Sequence, residues 1–419
     1  MPLALLALAI GAFGIGTTEF VTSGLLPEVA EEFGVSVPTA GYLTTGYALG
    51  VVVGAPILAI VGSRVSRKKM LISLMGLFTA GNALSAVAPV FGVMLAGRIV
   101  ASLAHGAFFG IGAIVAAGLV APQKKAAAIS MMFTGLTVSN IVGVPFGTML
   151  GQGAGWRVTF GVIAGLGLVA MLGIATLVPR LPMPERTRIG GEMAAFRNPQ
   201  VLLAMAMTVL GFGGVFTLST YMAPILTDVV GYAPSSVTWL LVLFGVGMFA
   251  GNLVGGRLAD RALMPLLFTG LAGLTAALAL MPLATHSKVA TAVAIPVIGA
   301  FGFATVPPLQ KRVLDQTADA PTLASAVNIG AFNLGNAIAA WLGGLVISAG
   351  LGYRVPNLVG AGMAAGALVL AMVSAGLERR TGGASRGGRV PAGSSVPAGS
   401  SAPAGSSAPE GQDAVAAGR

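Results

Sequence analysis

The chain has 419 residues, of which 55% are hydrophobic and only 9% charged, with a mean hydropathy of +0.90. A soluble chain carries about a quarter charged residues, so a soluble globular protein is excluded. The lack of cysteine excludes disulfides, thiolate metal sites and a catalytic thiol, and the net charge of +10 fits basic membrane-flanking loops rather than a nucleic-acid partner.

Twelve apolar runs, each long enough to cross about 30 Å of hydrocarbon as a helix, follow one another at about 3–26, 39–61, 70–88, 91–121, 126–150, 158–178, 200–226, 236–256, 263–284, 289–309, 323–349 and 356–377. Only helices satisfy their own backbone in lipid at this length. The first run has no basic n-region and is long enough to span, so it reads as a transmembrane helix and not as a cleaved signal. Lys and Arg number 14 in the even-numbered loops and 3 in the odd ones, which predicts that both termini are cytoplasmic.

Residues 179–199, with Pro179, Pro182 and Pro184 among mixed charges, separate six runs from six. Residues 381–419 are Gly, Ser, Ala and Pro with a six-residue repeat beginning at Pro391, Pro397 and Pro403. Such a composition predicts a disordered tail. The domains expected are therefore 1–178, a loop at 179–199, 200–380, and the tail at 381–419.

A shift of 197 residues aligns the halves without a gap over most of their length. It pairs Gly34 with Gly231, Gly50 with Gly247, Gly54 with Gly251, Gly155 with Gly352 and Arg157 with Arg354. The expected fold is thus an all-α polytopic membrane protein, with twelve transmembrane helices in two pseudo-symmetric six-helix bundles around a central cavity. Residues that break the symmetry are the better candidates for chemistry. Glu19 meets Phe216, Arg98 meets Ile295 and His105 meets Gly302, so the intramembrane ionisable groups lie in the first half alone.

Glu19 lies eight residues before Pro27 and Arg98 nine after Pro89, which places both about 12–14 Å inside one boundary by helical rise. Equal depth permits a pair. His105, seven residues on from Arg98, shares its face but lies deeper. Burial in low dielectric favours a neutral carboxyl and a nearby guanidinium the charged form, so separating such a pair would load and release a proton. Thr22, one turn from Glu19, adds a hydroxyl to the expected cavity. In the second half Phe212, Phe216, Tyr221, Phe301 and Phe303 offer apolar surface there, although aromatics at helical spacing are commonly packing. Helix 5 carries small residues every fourth position, from Gly135 and Ser139 through Gly143, Gly147 and Gly151, and helix 11 carries Ala331, Gly335, Ala339 and Gly343. These stripes predict close packing between the halves, with Pro145 bending helix 5. Arg64 after helix 2 and Asp260-Arg261 after helix 8 are candidate latches at helix ends.

Together, Gly16-Thr17-Thr18-Glu19-Phe20 with Gly24-Leu25-Leu26-Pro27, Arg98 with His105-Gly106-Ala107-Phe108-Phe109-Gly110, Gly143-Val144-Pro145-Phe146-Gly147, Gly155-Trp156-Arg157 and Asn328-Ile329-Gly330-Ala331-Phe332-Asn333-Leu334-Gly335 resemble the major facilitator superfamily. The resemblance spans about residues 3–378 and is nearest to twelve-helix drug:proton antiporters that include chloramphenicol-efflux and arabinose-efflux-like permeases. It implies that helices 1, 4, 7 and 10 line the cavity and that alternating access opens it to each side in turn. Gly143-x-Pro145-x-Gly147 resembles the family's antiporter motif and implies export. The loop after helix 2 departs from the family pattern, which has Asp at Ser63 and Gly at Ser66, so Asp260-Arg261 carries more of the gating role.

The expectation is a monomeric, proton-coupled exporter of a small amphiphilic compound in the plasma membrane. It needs no cofactor or metal, and its partners are its solute, protons and lipid. Sugar or nucleoside efflux is the rival within transporters, and a receptor or enzyme on a transporter scaffold is the rival of another class.

Overall fold

The computed structural model describes residues 3–62, 65–121, 124–179, 198–259, 261–317 and 321–386. Among them the regular structure is helical. Six long helices form the first half: α1 Leu3–Gly24, α2 Tyr42–Gly62, α3 Arg67–Ala86, α4 Phe91–Gly118, α5 and α6 Trp156–Leu177. α5 runs from Lys125–Val138 through a π turn, Ser139–Gly143, into Val144–Ala154. The second half holds α7 Pro199–Thr220, α8 Pro234–Ala259, α9 Leu263–Ala284, α10 Lys288–Ala304 continued by Val306–Asp315, α11 Pro321–Ser348 and α12 Val355–Arg386.

Eleven of these helices are long and apolar enough to cross a membrane. The expected third span, α3, is not among the eleven. Arg67, Lys68 and Lys69 at its start and Asn82 within it make it more polar on average, yet it packs on α4 and α6 inside the first half. The basic cluster that flags a membrane-flanking loop is here the first turn of the helix itself. α12 runs to Arg386, past the expected start of the tail. Most of the loop expected at 179–199, and residues 387–419, lie outside the described residues.

The repeat read from sequence reappears in the backbone. Gly34 and Gly231 take φ of 61° and 77°, and Gly155 and Gly352 take 90° and 79°. This left-handed region suits glycine because it lacks a Cβ, so the same turn chemistry recurs 197 residues apart. Gly50 and Gly54 bring α2 against α4 at Ile99 and Leu103, and Gly247 and Gly251 bring α8 against α10 at Pro296 and Ala300. Those four contact positions also differ pairwise by 197. Arg157 donates to Ala88 O and Arg354 to Thr285 Oγ1, again at matching places.

The small-residue stripes work within each half, not between them as expected. On α5, a methyl added at Gly135, Gly143 or Gly147 would press on Ala9, Thr17 or Val21 of α1, and one at Gly151 on Leu25 just past its end. On α11, Gly335 lies on Val209 and Gly213 of α7. A four-residue step on one helix meets a four-residue step on its neighbour, so the stripe is spent on the first helix of its own bundle.

The halves meet instead along α2 with α11 and along α5 with α8. Gly245 of α8 sits on Asn140 at the π turn, and Leu241 reaches Gly24 at the end of α1. The end of the molecule carrying residues 24–42 is closed. Tyr221, fully buried, donates to Ala340 O at 2.7 Å and packs on Gly41, Gly343 and Gly344.

Candidate functional site

Hydrophobic periodicity buries one face of α4, and that face carries Arg98 (0% exposed) and His105 (6%) among Met94, Ala101, Ala104 and Phe108. A charge without water needs partners, and Arg98 finds them on α1 and α2. Its Nη1 donates to Thr18 O at 2.7 Å and to Thr18 Oγ1 at 2.8 Å. The guanidinium lies 4.3 Å from the centre of the Tyr47 ring and 5.7 Å from that of Phe160, within cation–π range. Thr18 Oγ1 donates in turn to Asn82 Oδ1 at 2.6 Å, and Asn82 Nδ2 donates to Phe78 O at 2.8 Å. Arg98 thereby ties α1, α2, α3 and α4 together. Its Nε and Nη2 have no acceptor among the described residues.

Glu19 and Arg98, expected to pair, act on each other's charge but make no direct contact among the described residues. Consecutive residues on a helix point about 100° apart, and the guanidinium has taken the Thr18 side of α1. Glu19 turns instead toward α4, where its Oε2 lies 4.0 Å from His105 Nδ1. Tyr47 Oη lies 3.3 Å from that same nitrogen. The Glu19 side chain is 10% exposed. A carboxyl, an imidazole and a phenol therefore converge on one point from α1, α4 and α2. Each can hold or pass a proton.

Sequence reasoning found Glu19, Arg98 and His105. It missed Thr18, Tyr47 and Asn82, which are neutral and stand out against an apolar run only as polar residues with a helical offset from the charged ones.

Of the expected cavity residues, Thr22 is buried with its hydroxyl lacking a partner among the described residues. Phe212 and Phe216 are buried and join Phe303, Phe332 and, across the halves, Phe20. Ring centres are 5.5 Å apart for Phe20–Phe216 and for Phe212–Phe216, 5.3 Å for Phe212–Phe303 and 5.0 Å for Phe212–Phe332. Of these pairs, Phe20–Phe216 crosses between the halves and the others lie within the second half. Phe301 points away from this cluster, its ring covering Gly273 of α9, and Tyr221 belongs to the closed end.

Of the expected gating residues, Gly143 and Gly147 lie on α1, and Pro145 follows the π turn. A proline has no N–H and pushes on the preceding turn, which accounts for the widened turn at Ser139–Gly143. Arg261 is exposed. Arg64 and Asp260 lie outside the described residues.

A family model described as Major Facilitator Superfamily matches residues 8–329 and 230–402. The chain belongs to the major facilitator superfamily. Inner membrane transport protein YdhP of Escherichia coli K12 is 48% identical over 377 residues, covering 90% of this chain and 97% of that one. A chloramphenicol resistance protein of Streptomyces lividans is 36% identical over 363 residues, 85% of this chain and 91% of that one. Among solved structures, the inward-facing, unoccupied crystal structure of a bacterial homologue of the human lysosomal transporter Spinster matches with a TM-score of 0.63 at 18% identity, over 90% of this chain and 96% of that one. That likeness is one of fold. As a superfamily member the chain is a multi-pass membrane transporter acting on small molecules.

Proposed function

We propose that this transporter is a plasma-membrane exporter of a small amphiphilic, antibiotic-like compound, driven by protons that enter through Glu19. One observation carries the reading: Glu19 is an acidic residue set deep in an apolar span, nearly buried, with a titratable imidazole 4.0 Å from its carboxyl and the Arg98 guanidinium near enough to act on its charge. A charged carboxylate is costly in a membrane interior, so Glu19 exchanges its proton as water gains or loses access to it. His105 and Tyr47 form the path to and from the carboxyl. Arg98, bound to the backbone of α1 one residue away, carries movement of α1 to α2, α3 and α4.

The chloramphenicol resistance of one relative supports drug-like cargo, and the aromatic cluster around Phe212 and Phe216 suits an apolar body. The end carrying residues 24–42 faces outside and both termini face the cytoplasm, in keeping with the 14 basic residues on that side against 3.

Everted membrane vesicles containing Glu19→Gln should lose chloramphenicol accumulation driven by a pH gradient while the protein remains inserted at the wild-type level. Undiminished accumulation in that variant removes Glu19 from coupling.

A further inference from the structure

α11 carries a row of buried amides whose side-chain oxygens neither the scaffold nor the proton path uses. Asn328, Asn333 and Asn336 are 0%, 3% and 2% exposed. The side-chain oxygen of each has no donor among the described residues. A buried carbonyl oxygen that has given up water and gained no donor is a net cost, and here it is incurred three times on one helix. Asn328 still serves the scaffold, donating to Gln310 Oε1 at 2.7 Å while Gln310 Nε2 donates to Ser325 Oγ at 3.0 Å. Asn333 Nδ2 bonds only within its own helix, to Ile329 O at 3.0 Å.

Neighbours fix where the other two lie. Asn333 is one helical turn beyond Ile329, and Asn336 one turn beyond Phe332. Ile329 packs on Tyr47, Val51 and Ala101 and reaches Gly106, beside His105. The Phe332 ring meets Phe212 at 5.0 Å. Asn333 and Asn336 therefore stand between the Tyr47–His105 pair of the first half and the aromatic cluster of the second. Their counterparts 197 residues earlier are Leu136 and Ser139, and Ser139 Oγ is satisfied by Leu136 O at 2.7 Å. These two amides lie in the second half, whereas Glu19, Arg98 and His105 lie in the first.

We propose that Asn333 and Asn336 form the polar subsite that recognises the cargo, accepting hydrogen bonds from two hydroxyl or N–H groups on a solute whose apolar body lies on the Phe212–Phe332 rings. This deepens the exporter reading and rests on it. A site built of acceptors discriminates strongly against an analogue that lacks the donors, because the amides then stay unpaired.

The probes are chloramphenicol, which carries two hydroxyls and an amide N–H, and its 1,3-dideoxy analogue, in which hydrogen replaces both hydroxyls. Export of each is measured in energised vesicles containing wild type, Asn333→Leu or Asn336→Leu, together with the thermal unfolding midpoint of each purified protein. Wild type should export the parent with a kcat/KM roughly tenfold or more above that of the dideoxy compound. In each leucine variant the ratio should fall toward one, mainly through a higher KM for the parent, with no fall in unfolding midpoint. An unchanged ratio in both variants overturns the subsite, whether or not the midpoint drops. A wild-type ratio near one with robust export of both compounds overturns the subsite and leaves the exporter reading standing. Export of neither compound by wild type overturns the exporter reading and the subsite with it.

Discussion

Arg98 is held by a combination that other cations cannot supply: two oxygens of Thr18 in reach of one nitrogen, and a ring face beneath the guanidinium plane. Lysine is a point charge without a planar face. Arg98→Lys should therefore lower stability by about 1–3 kcal/mol, the scale of a charged hydrogen bond, read as a lower unfolding midpoint in detergent; a midpoint equal to wild type would show that the Thr18 and Tyr47 contacts contribute little. The charged members of this group were plain in the sequence, since a carboxylate, a guanidinium and an imidazole within apolar runs are rare and costly. Their partners were not. Thr18 and Tyr47 look like many other polar residues along the spans, and which side of α1 the guanidinium takes is decided by packing among four helices, beyond what spacing within one helix reveals. Glu19 and Arg98 act on each other's charge without a direct contact for that reason.

At the scale of the element, helices and their order were legible because lipid leaves the backbone few options. What each stripe touches was not. The period of four on α5 announces a close neighbour without naming it, and the structure names α1. The closest approach is at Gly135, where an added methyl would collide with Ala9 O, a backbone atom that cannot swing aside. Gly135→Ala should force α5 away from α1 and cost about 1–3 kcal/mol, as overpacking does. Gly153→Ala, where nothing lies within reach of the new methyl, is the control and should keep the wild-type midpoint. Equal midpoints for both would mean that α5 and α1 have slack. Aromatic residues were ambiguous in the same way. Phe301 and Phe303 are two apart in sequence, yet one covers α9 and the other joins the Phe212 cluster.

For the whole molecule, the 197-residue repeat was readable and its physical content is now specific: matched left-handed glycines, matched glycine contacts between α2 and α4 and between α8 and α10, and matched arginine ties. On this doubled frame Glu19, Arg98 and His105 lie in the first half, and the Phe212 cluster with Asn333 and Asn336 in the second. On the proposed alternating-access reading, the end carrying residues 24–42 has to open. Thr39 and Ser348 flank one small cavity of about 190 Å³ between the start of α2 and the end of α11, and the chain has no other thiol. A short bifunctional thiol reagent applied to Thr39→Cys/Ser348→Cys should link the halves and stop transport, with activity unaffected in either single variant. Full transport in the linked protein would mean that this end does not open. The central claim, that Glu19 carries the proton exchanged for cargo, is tested most directly by following lumenal pH in proteoliposomes given an outward chloramphenicol gradient and no other driving force. Wild type should move protons against the drug, and Glu19→Gln should pass drug without any pH change. Equal proton movement by both proteins would contradict the account.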